Sequence, residues 1–163
     1  MATNRLTEPK TLDDMLLYVL WQLQAAARGP VVRVCAAEFG ITRREWRMLA
    51  QLAQGEGLAS SALAERAGLD RAQTSRAVGG LVGKRLLART PRPGDRREVL
   101  LHLTDEGRAV YNALLPRIAA INRELLSVLA PAEVEVLDGL LRRLNAQALR
   151  VGAVGDDVVP KFE

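Results

Sequence analysis

One cysteine and one histidine give this chain no means of building a disulfide framework or an ordinary zinc site, so its stability has to come from packing or from a second chain. A lone thiol also suits a reducing compartment. Aromatic residues are scarce, at 4%. No run approaches the ~18 uncharged apolar residues of a membrane span, and the opening MATNRLTEPKTLDD lacks the basic-then-apolar order of a secretory signal. The expectation is a cytoplasmic protein with no membrane partner. Nor is there a phosphate loop, a nucleophile–base pair or a pair of pocketed carboxylates. Gly79, Gly80 and Gly83 make no Walker or dinucleotide pattern, so neither catalysis, a cofactor nor a metal is expected. The last shortage is local. From Arg71 to Arg97 the only acid is Asp95, against Arg71, Arg76, Lys84, Arg85, Arg89, Arg92, Arg96 and Arg97, which makes this segment +7 and leaves the rest of the chain at −3. Basicity concentrated in this way points to a surface that docks an anionic partner.

What the chain does have is helical periodicity, and enough apolar residues (48%) for a core of its own. Residues 1–150 read as one domain and 151–163 as a tail. A first apolar helix runs from about Leu12 to Ala27, with Gly29-Pro30 expected to interrupt it before a shorter piece from Val31 to Phe39. GITRREWRMLAQLA follows, with Thr42 and Glu45 spaced as a capping box and Trp46, Leu49, Leu52 and Ala53 as its buried stripe. SSALAERAGLD is a short helix opened by Ser60 or Ser61 and closed at Gly68. Asp70 then caps the next helix, with Gln73 at capping-box spacing. Two helices joined by Gly-Leu-Asp make a helix-turn-helix.

In RAQTSRAVGGLVGKR, Thr74, Val78 and Leu81 recur at helical steps and face the core. Ala72, Arg76, Gly79 and Gly83 then lie opposite, flanked by Gln73, Ser75 and Gly80. Three glycines cost on the order of 1 kcal/mol each in a helix. Close approach to a groove wall, with Arg76, Gln73 and Ser75 reaching base edges, is one reading; a weak helix held by its neighbours, with Gln73 only capping, is the other. LLARTP and EVLLHL flank RPGDRR as a small β-hairpin with Val99, Leu101 and Leu103 on one face and Leu100 and His102 on the other. Thr104, Asp105 and Glu106 open a long helix whose stripe runs from Val110 to Leu129, with a kink expected at Pro116. Pro131 and Glu133 start the last helix, striped by Leu137, Leu140, Leu141, Leu144 and Ala148.

In this order, GITRREWRMLAQLA, LAERAGLDRAQTSRAVGGLVGKRLLAR and PGDRREVLLHLTDEG resemble the MarR family of winged helix-turn-helix transcription regulators over nearly the whole chain. The most specific part is Asp-x-Arg at Asp95 and Arg97, then an alternating strand, then Leu-Thr-x-x-Gly at Leu103, Thr104 and Gly107. Where the family pattern has Gly-Leu after the recognition helix, Arg85 precedes Leu86 here and Gly83 lies two positions earlier. The resemblance implies a mainly α fold with a small β-hairpin, a DNA-binding lobe over about 42–104, and dimerisation helices over about 10–40 and 105–150. It implies a homodimer on a palindromic double-stranded DNA operator. The apolar helices at both ends of the chain, which ask for another helical surface, agree.

On that reading Ser60, Ser61, Arg71, Gln73, Ser75, Arg76, Lys84, Arg92, Asp95, Arg96 and Arg97 make the DNA interface. Asp95, on the same strand face as Arg97, orients it toward a minor groove, while Arg92, Arg96, Lys84 and the Ser60-Ser61 helix start serve phosphates. Family members bind small aromatic acids, and Tyr18, Trp21, Phe39 and Trp46 near Arg28, Arg33 and Arg47 could hold an aromatic carboxylate or its thioester; hydrophobic core is the plainer reading of those rings. Cys35 is either an oxidant-sensing thiol or a small buried hydrophobe. A ligand-responsive repressor, a nonspecific architectural DNA binder and a helical protein-interaction module remain as functional alternatives.

Overall fold

The computed structural model describes residues 4–55 and 57–153, without the side chains of 95–97 and 153. Helices α1 (Leu16–Phe39) and α2 (Arg43–Gln54) are followed by strand β1 (Leu58–Ala59), helices α3 (Ser60–Ala67) and α4 (Arg71–Gly83), strands β2 (Leu87–Arg92) and β3 (Asp95–Leu103), and helices α5 (Asp105–Leu126) and α6 (Pro131–Ala153). Two compact units divide between Ile121 and Asn122. The first contains a core of Ile41, Met48, Leu49, Leu52, Leu63, Leu81, Leu101 and Leu114, among others. In the second, α6 buries none of its described residues, and Val136, Leu140, Leu141 and Leu144 stand exposed along it.

The structure differs from the expected elements in four places. α1 runs unbroken through Gly29 and Pro30. A proline inside a helix forfeits one backbone bond and crowds the carbonyl four residues back. Here Cys35 is wholly buried and Val31, Val34 and Phe39 pack against the core, so tertiary packing holds the helix through the defect. α5 also runs through Pro116, as its unbroken apolar stripe implies. The basic turn is tighter than a six-residue loop: pairing runs from Leu87↔Leu103 out to Arg92↔Asp95, with an irregularity between Pro91 and Arg92, and only Pro93 and Gly94 make the bend. A third strand also exists, because β1 pairs Leu58↔Leu101 and Ala59↔Leu100 to give the order β1-β3-β2. Two residues are too few to show alternation, which is why the strand is silent in the sequence. Finally, α6 reaches Ala153, so residues 151–153 are helical; 154–163 lie outside the described residues.

The end of α4 explains the departure at Arg85. The Leu86 N–H donates to the Leu81 carbonyl (2.9 Å) and the Arg85 N–H to the Val82 carbonyl (2.9 Å), the paired bonds of a Schellman terminus. Arg85 sits at φ 59°, the left-handed conformation that glycine ordinarily fills. Its carbonyl accepts from Thr104 Oγ1 (2.8 Å), which in turn accepts from the Gly107 N–H (2.9 Å), while the Thr104 N–H donates to the Leu86 carbonyl (3.2 Å). A Cβ on Gly107 would lie 2.0 Å from that carbonyl oxygen. The Thr-x-x-Gly spacing is therefore a packing requirement: threonine caps α5, and glycine lets α5 cross the end of α4.

Gly107→Ala should destabilise the fold by roughly 2–3 kcal/mol, since the contact is with backbone. Arg85→Gly should stabilise it by about 1 kcal/mol through relief of the left-handed strain. Urea unfolding of both variants checks the opposite signs.

Candidate nucleic-acid interface

α4 begins where Asp70 Oδ1 accepts from the Gln73 N–H (2.7 Å) and turns Thr74, Ala77, Val78 and Leu81 into the core. Arg71, Ala72, Ser75, Arg76, Gly79 and Gly83 are left exposed, so the face opposite the core is the uncovered one. Among the described residues no carboxylate engages Arg76. Gln73 is half-buried because its side chain also walls a cavity described below. Ser60 and Ser61 are exposed in the first turn of α3, but neither caps it; the cap position belongs to Ala59, whose extended backbone is paired with Leu100.

Lys84 is committed elsewhere. Its Nζ donates to both carboxylate oxygens of Glu45, at 2.9 and 2.8 Å, and the Glu45 side chain is only 5% exposed. Glu45 also completes its capping box, accepting from the Thr42 N–H (2.6 Å) while Thr42 Oγ1 accepts from the Glu45 N–H (3.1 Å). A Cβ on Gly80 would lie 2.4 Å from Glu45 Oε1. Gly80 therefore makes room for a buried carboxylate that ties α2 to α4, whereas at Gly79 and Gly83 a Cβ would meet open space. Sequence reasoning missed this link because its partners are 39 residues apart.

In the hairpin, Arg92 is ion-paired with Glu98 across the strands, an acid just beyond the segment that is otherwise nearly free of them. His102 Nε2 and Thr90 Oγ1 share a hydrogen bond of 2.8 Å, in keeping with a polar strand face. The side chains of Asp95, Arg96 and Arg97, expected to orient, touch phosphate and probe the minor groove, lie outside the described residues.

Beside α4 lies a cavity of about 470 Å³. Arg28 of α1 and Arg43, Arg44 and Arg47 of α2 line it together with Thr42 and Gln73, over an apolar wall of Val32, Ala36, Ile41 and Leu69. Of the residues expected around a ligand pocket, Arg28 and Arg47 are here and the aromatic rings are not. Tyr18 and Trp21 stack on each other at 5.4 Å in the first half of α1, Trp46 stacks on Tyr111 of α5 at 5.6 Å, and Arg33 is exposed. The overlooked signal was the run TRREWR. It puts two arginines in the first turn of a helix, where the dipole disfavours cations, and sets Arg43 and Arg47 on one face. Burial, then the charges of Arg47 and Arg28, hold the Arg43 guanidinium below its ordinary pKa. Arg47 Nη1 donates to the Ala67 carbonyl (2.8 Å).

Cys35 belongs to the core. It is fully buried, and burial pushes its thiol pKa up, outweighing the opposing charge of Arg43; Arg33, the neighbour in sequence, plays no such part. A protonated, enclosed thiol lacks the exposed thiolate that oxidation requires. No helix among the described residues is long and apolar enough to cross a membrane.

If Lys84 is a structural partner of Glu45, Lys84→Met should lower stability by leaving a buried carboxylate unpaired, yet leave the salt dependence of duplex binding unchanged. Loss of a phosphate contact would instead reduce the slope of log K against log salt by ~0.9. In native protein at pH 8, Cys35 should alkylate with iodoacetamide far more slowly than in urea, which mass spectrometry reads directly.

Residues 39–98 match the model for the MarR family. A Thauera aromatica protein named as the transcriptional regulatory protein for the hcr operon is 32% identical over 124 residues, which is 76% of this chain and 75% of that protein. The HTH-type transcriptional repressor MdtR of Bacillus subtilis is 30% identical over 127 residues, covering 77% of this chain and 82% of MdtR. Among solved structures, the PcaV transcriptional regulator of Streptomyces coelicolor in complex with its natural ligand matches at 32% identity with a TM-score of 0.69, over 85% of this chain and 96% of that one. Proteins of this kind are DNA-binding transcription regulators, and PcaV among them is solved with a ligand. With its three-stranded sheet, its helix-turn-helix and these relatives, the chain belongs to the MarR family of winged helix-turn-helix, DNA-binding transcriptional regulators.

Proposed function

We propose that two copies of this chain pair through their terminal helices and place two α4 helices in major grooves of a palindromic operator, repressing transcription until a small organic anion enters the arginine-lined cavity. The observation that carries this reading is the uncovered face of α4, where Arg76 stands among Ala72, Ser75, Gly79 and Gly83. Small residues around one arginine let a helix backbone come close to groove walls while one long cation reaches a base edge or a phosphate. Gly79 and Gly83 have open space where a Cβ would go, so nothing within the fold itself calls for glycine there.

Dimerisation is supported by the apolar surface a single chain leaves wet. Val136, Leu140, Leu141 and Leu144 of α6 and Leu17, Trp21 and Leu23 of α1 are exposed, more than scattered surface residues explain. On the hairpin we assign Arg97, oriented by Asp95 two residues away on the same strand face, to the minor groove, and Arg96 to phosphate. Arg92 reaches a phosphate only by leaving Glu98. Repression is supported by the name of the relative MdtR, and an effector by the ligand complex of PcaV. The cavity favours an anion more directly than it favours an aromatic ring. If the effector is an aromatic acid or its thioester, the ring has aliphatic side chains to rest on.

Binding is measured on a duplex selected from a random pool and on scrambled duplex at matched salt. A ratio on the order of 10³ or more supports a regulator, while equal affinities overturn it in favour of an architectural DNA binder. Arg76→Ala and Arg97→Ala should each lower specific affinity roughly tenfold or more. Gly79→Ala should raise folding stability by up to about 1 kcal/mol and yet weaken specific binding, a split that a purely structural glycine would not produce. In sedimentation a concentration-independent monomer mass overturns the dimer.

A further inference from the structure

We infer that the cavity beside α4 is built for an anion bearing at least two negative charges on a small apolar body, and that such an anion opposes DNA by engaging Arg44 and Gln73, residues its wall shares with the DNA-facing side of α4. This rests on the reading of the cavity as the effector site and adds to it the charge of the ligand and the route of antagonism.

The charge follows from what lines the space. Two helices bring four arginines to its wall, Arg28, Arg43, Arg44 and Arg47, and none of the lining residues is acidic. Glu45, in the same turn of α2, is taken by Lys84 and the Thr42 N–H and does not neutralise them. A monoanion would leave most of this mutual repulsion in place; each further negative charge removes more of it. Arginine also matches carboxylate and phosphate oxygens in pairs, so either group supplies the required chemistry. The apolar wall sets the second half of the specification, a body of modest size in about 470 Å³.

The route follows from a second, smaller depression alongside. It is lined by Thr42, Arg44, Glu45, Gln73, Arg76 and Ala77, and it shares Thr42, Arg44 and Gln73 with the cavity. Arg44 and Gln73 thus stand between the proposed anion and Arg76 on the exposed face of α4. An anion that draws Arg44 and Gln73 inward takes charge and hydrogen-bonding capacity from the DNA side. Because binding linkage is reciprocal, DNA must weaken the anion by the same factor.

The test is calorimetric titration of the full chain, at constant ionic strength, with benzoate, benzene-1,3-dicarboxylate, benzene-1,3,5-tricarboxylate and phenyl phosphate. Affinity should rise about tenfold with each added carboxylate. Phenyl phosphate near its dianionic limit should bind with the dicarboxylate or tighter, and which of the two is preferred separates a carboxylate ligand from a phosphorylated one. Arg28→Gln and Arg43→Gln, each checked by circular dichroism, should flatten the series, and saturating selected duplex should weaken the tricarboxylate. Equal affinities along the series, no binding by any member, a series unchanged in both variants, or indifference to duplex would each overturn the inference. Failure of the regulator reading would look different, as absence of selective duplex binding with no anion present.

Discussion

The Leu86 carbonyl meeting Gly107 is the contact on which the winged-helix arrangement depends. It lies one residue past the left-handed Arg85 that ends α4, and it receives the Thr104 N–H at the point where β3 becomes α5. Thr104 Oγ1 completes the junction by joining the Arg85 carbonyl to the Gly107 N–H. The end of α4, the base of the hairpin and the start of α5 are therefore fixed by main-chain geometry that few side chains can alter. The hairpin can then vary its tip chemistry, because its base is held by atoms every residue has in common.

Glu45 does for the other side of α4 what Gly107 does for its end. A carboxylate this deeply buried is costly unless every oxygen is used, and here one oxygen takes a backbone N–H and both take the Lys84 ammonium. The arrangement requires a position without a Cβ, which Gly80 supplies. Through this pair the first turn of α2, carrying Arg43 and Arg44, is tied to the last turn of α4. On the proposed reading, a change in those arginines would pass through this pair to α4.

The parts of this fold legible in the sequence are those whose partners lie three or four residues apart. Thr42 with Glu45, Asp70 with Gln73, Thr104 with Gly107 and the core face of Thr74, Val78 and Leu81 all follow from helical geometry and local capping chemistry. The unbroken α1 was hidden because burial of Cys35 and Phe39 is a tertiary effect, stronger than the local preference of Gly29-Pro30. β1 was hidden because only β3 makes it a strand. The cavity escaped for a similar reason: scarce aromatics drew attention to Tyr18, Trp21 and Trp46, two of which stack on each other and one on α5. The arginines that do line it lay in plain view at the start of a capped helix.

Charge by itself would have sorted these residues poorly; charge weighed against its compensation sorts them well. Lys84, Arg92, Arg117 and Arg142 each have a carboxylate, and each is accounted for by an element-to-element or within-helix link. The three surface pairs contribute little to stability, unlike the buried Lys84–Glu45 pair, but all four occupy the cation. Among the described residues, the cations left without a carboxylate include Arg76 on the open face of α4 and the four that surround the cavity. Holding like charges together raises the free energy of the fold unless an anion visits, so selection for folding alone would have spread them apart or supplied an acid. Four arginines gathered in a concavity with no acid among its lining residues, beside an open helix face that carries Arg76, are what the proposed alternation between a large polyanion and a small one would need.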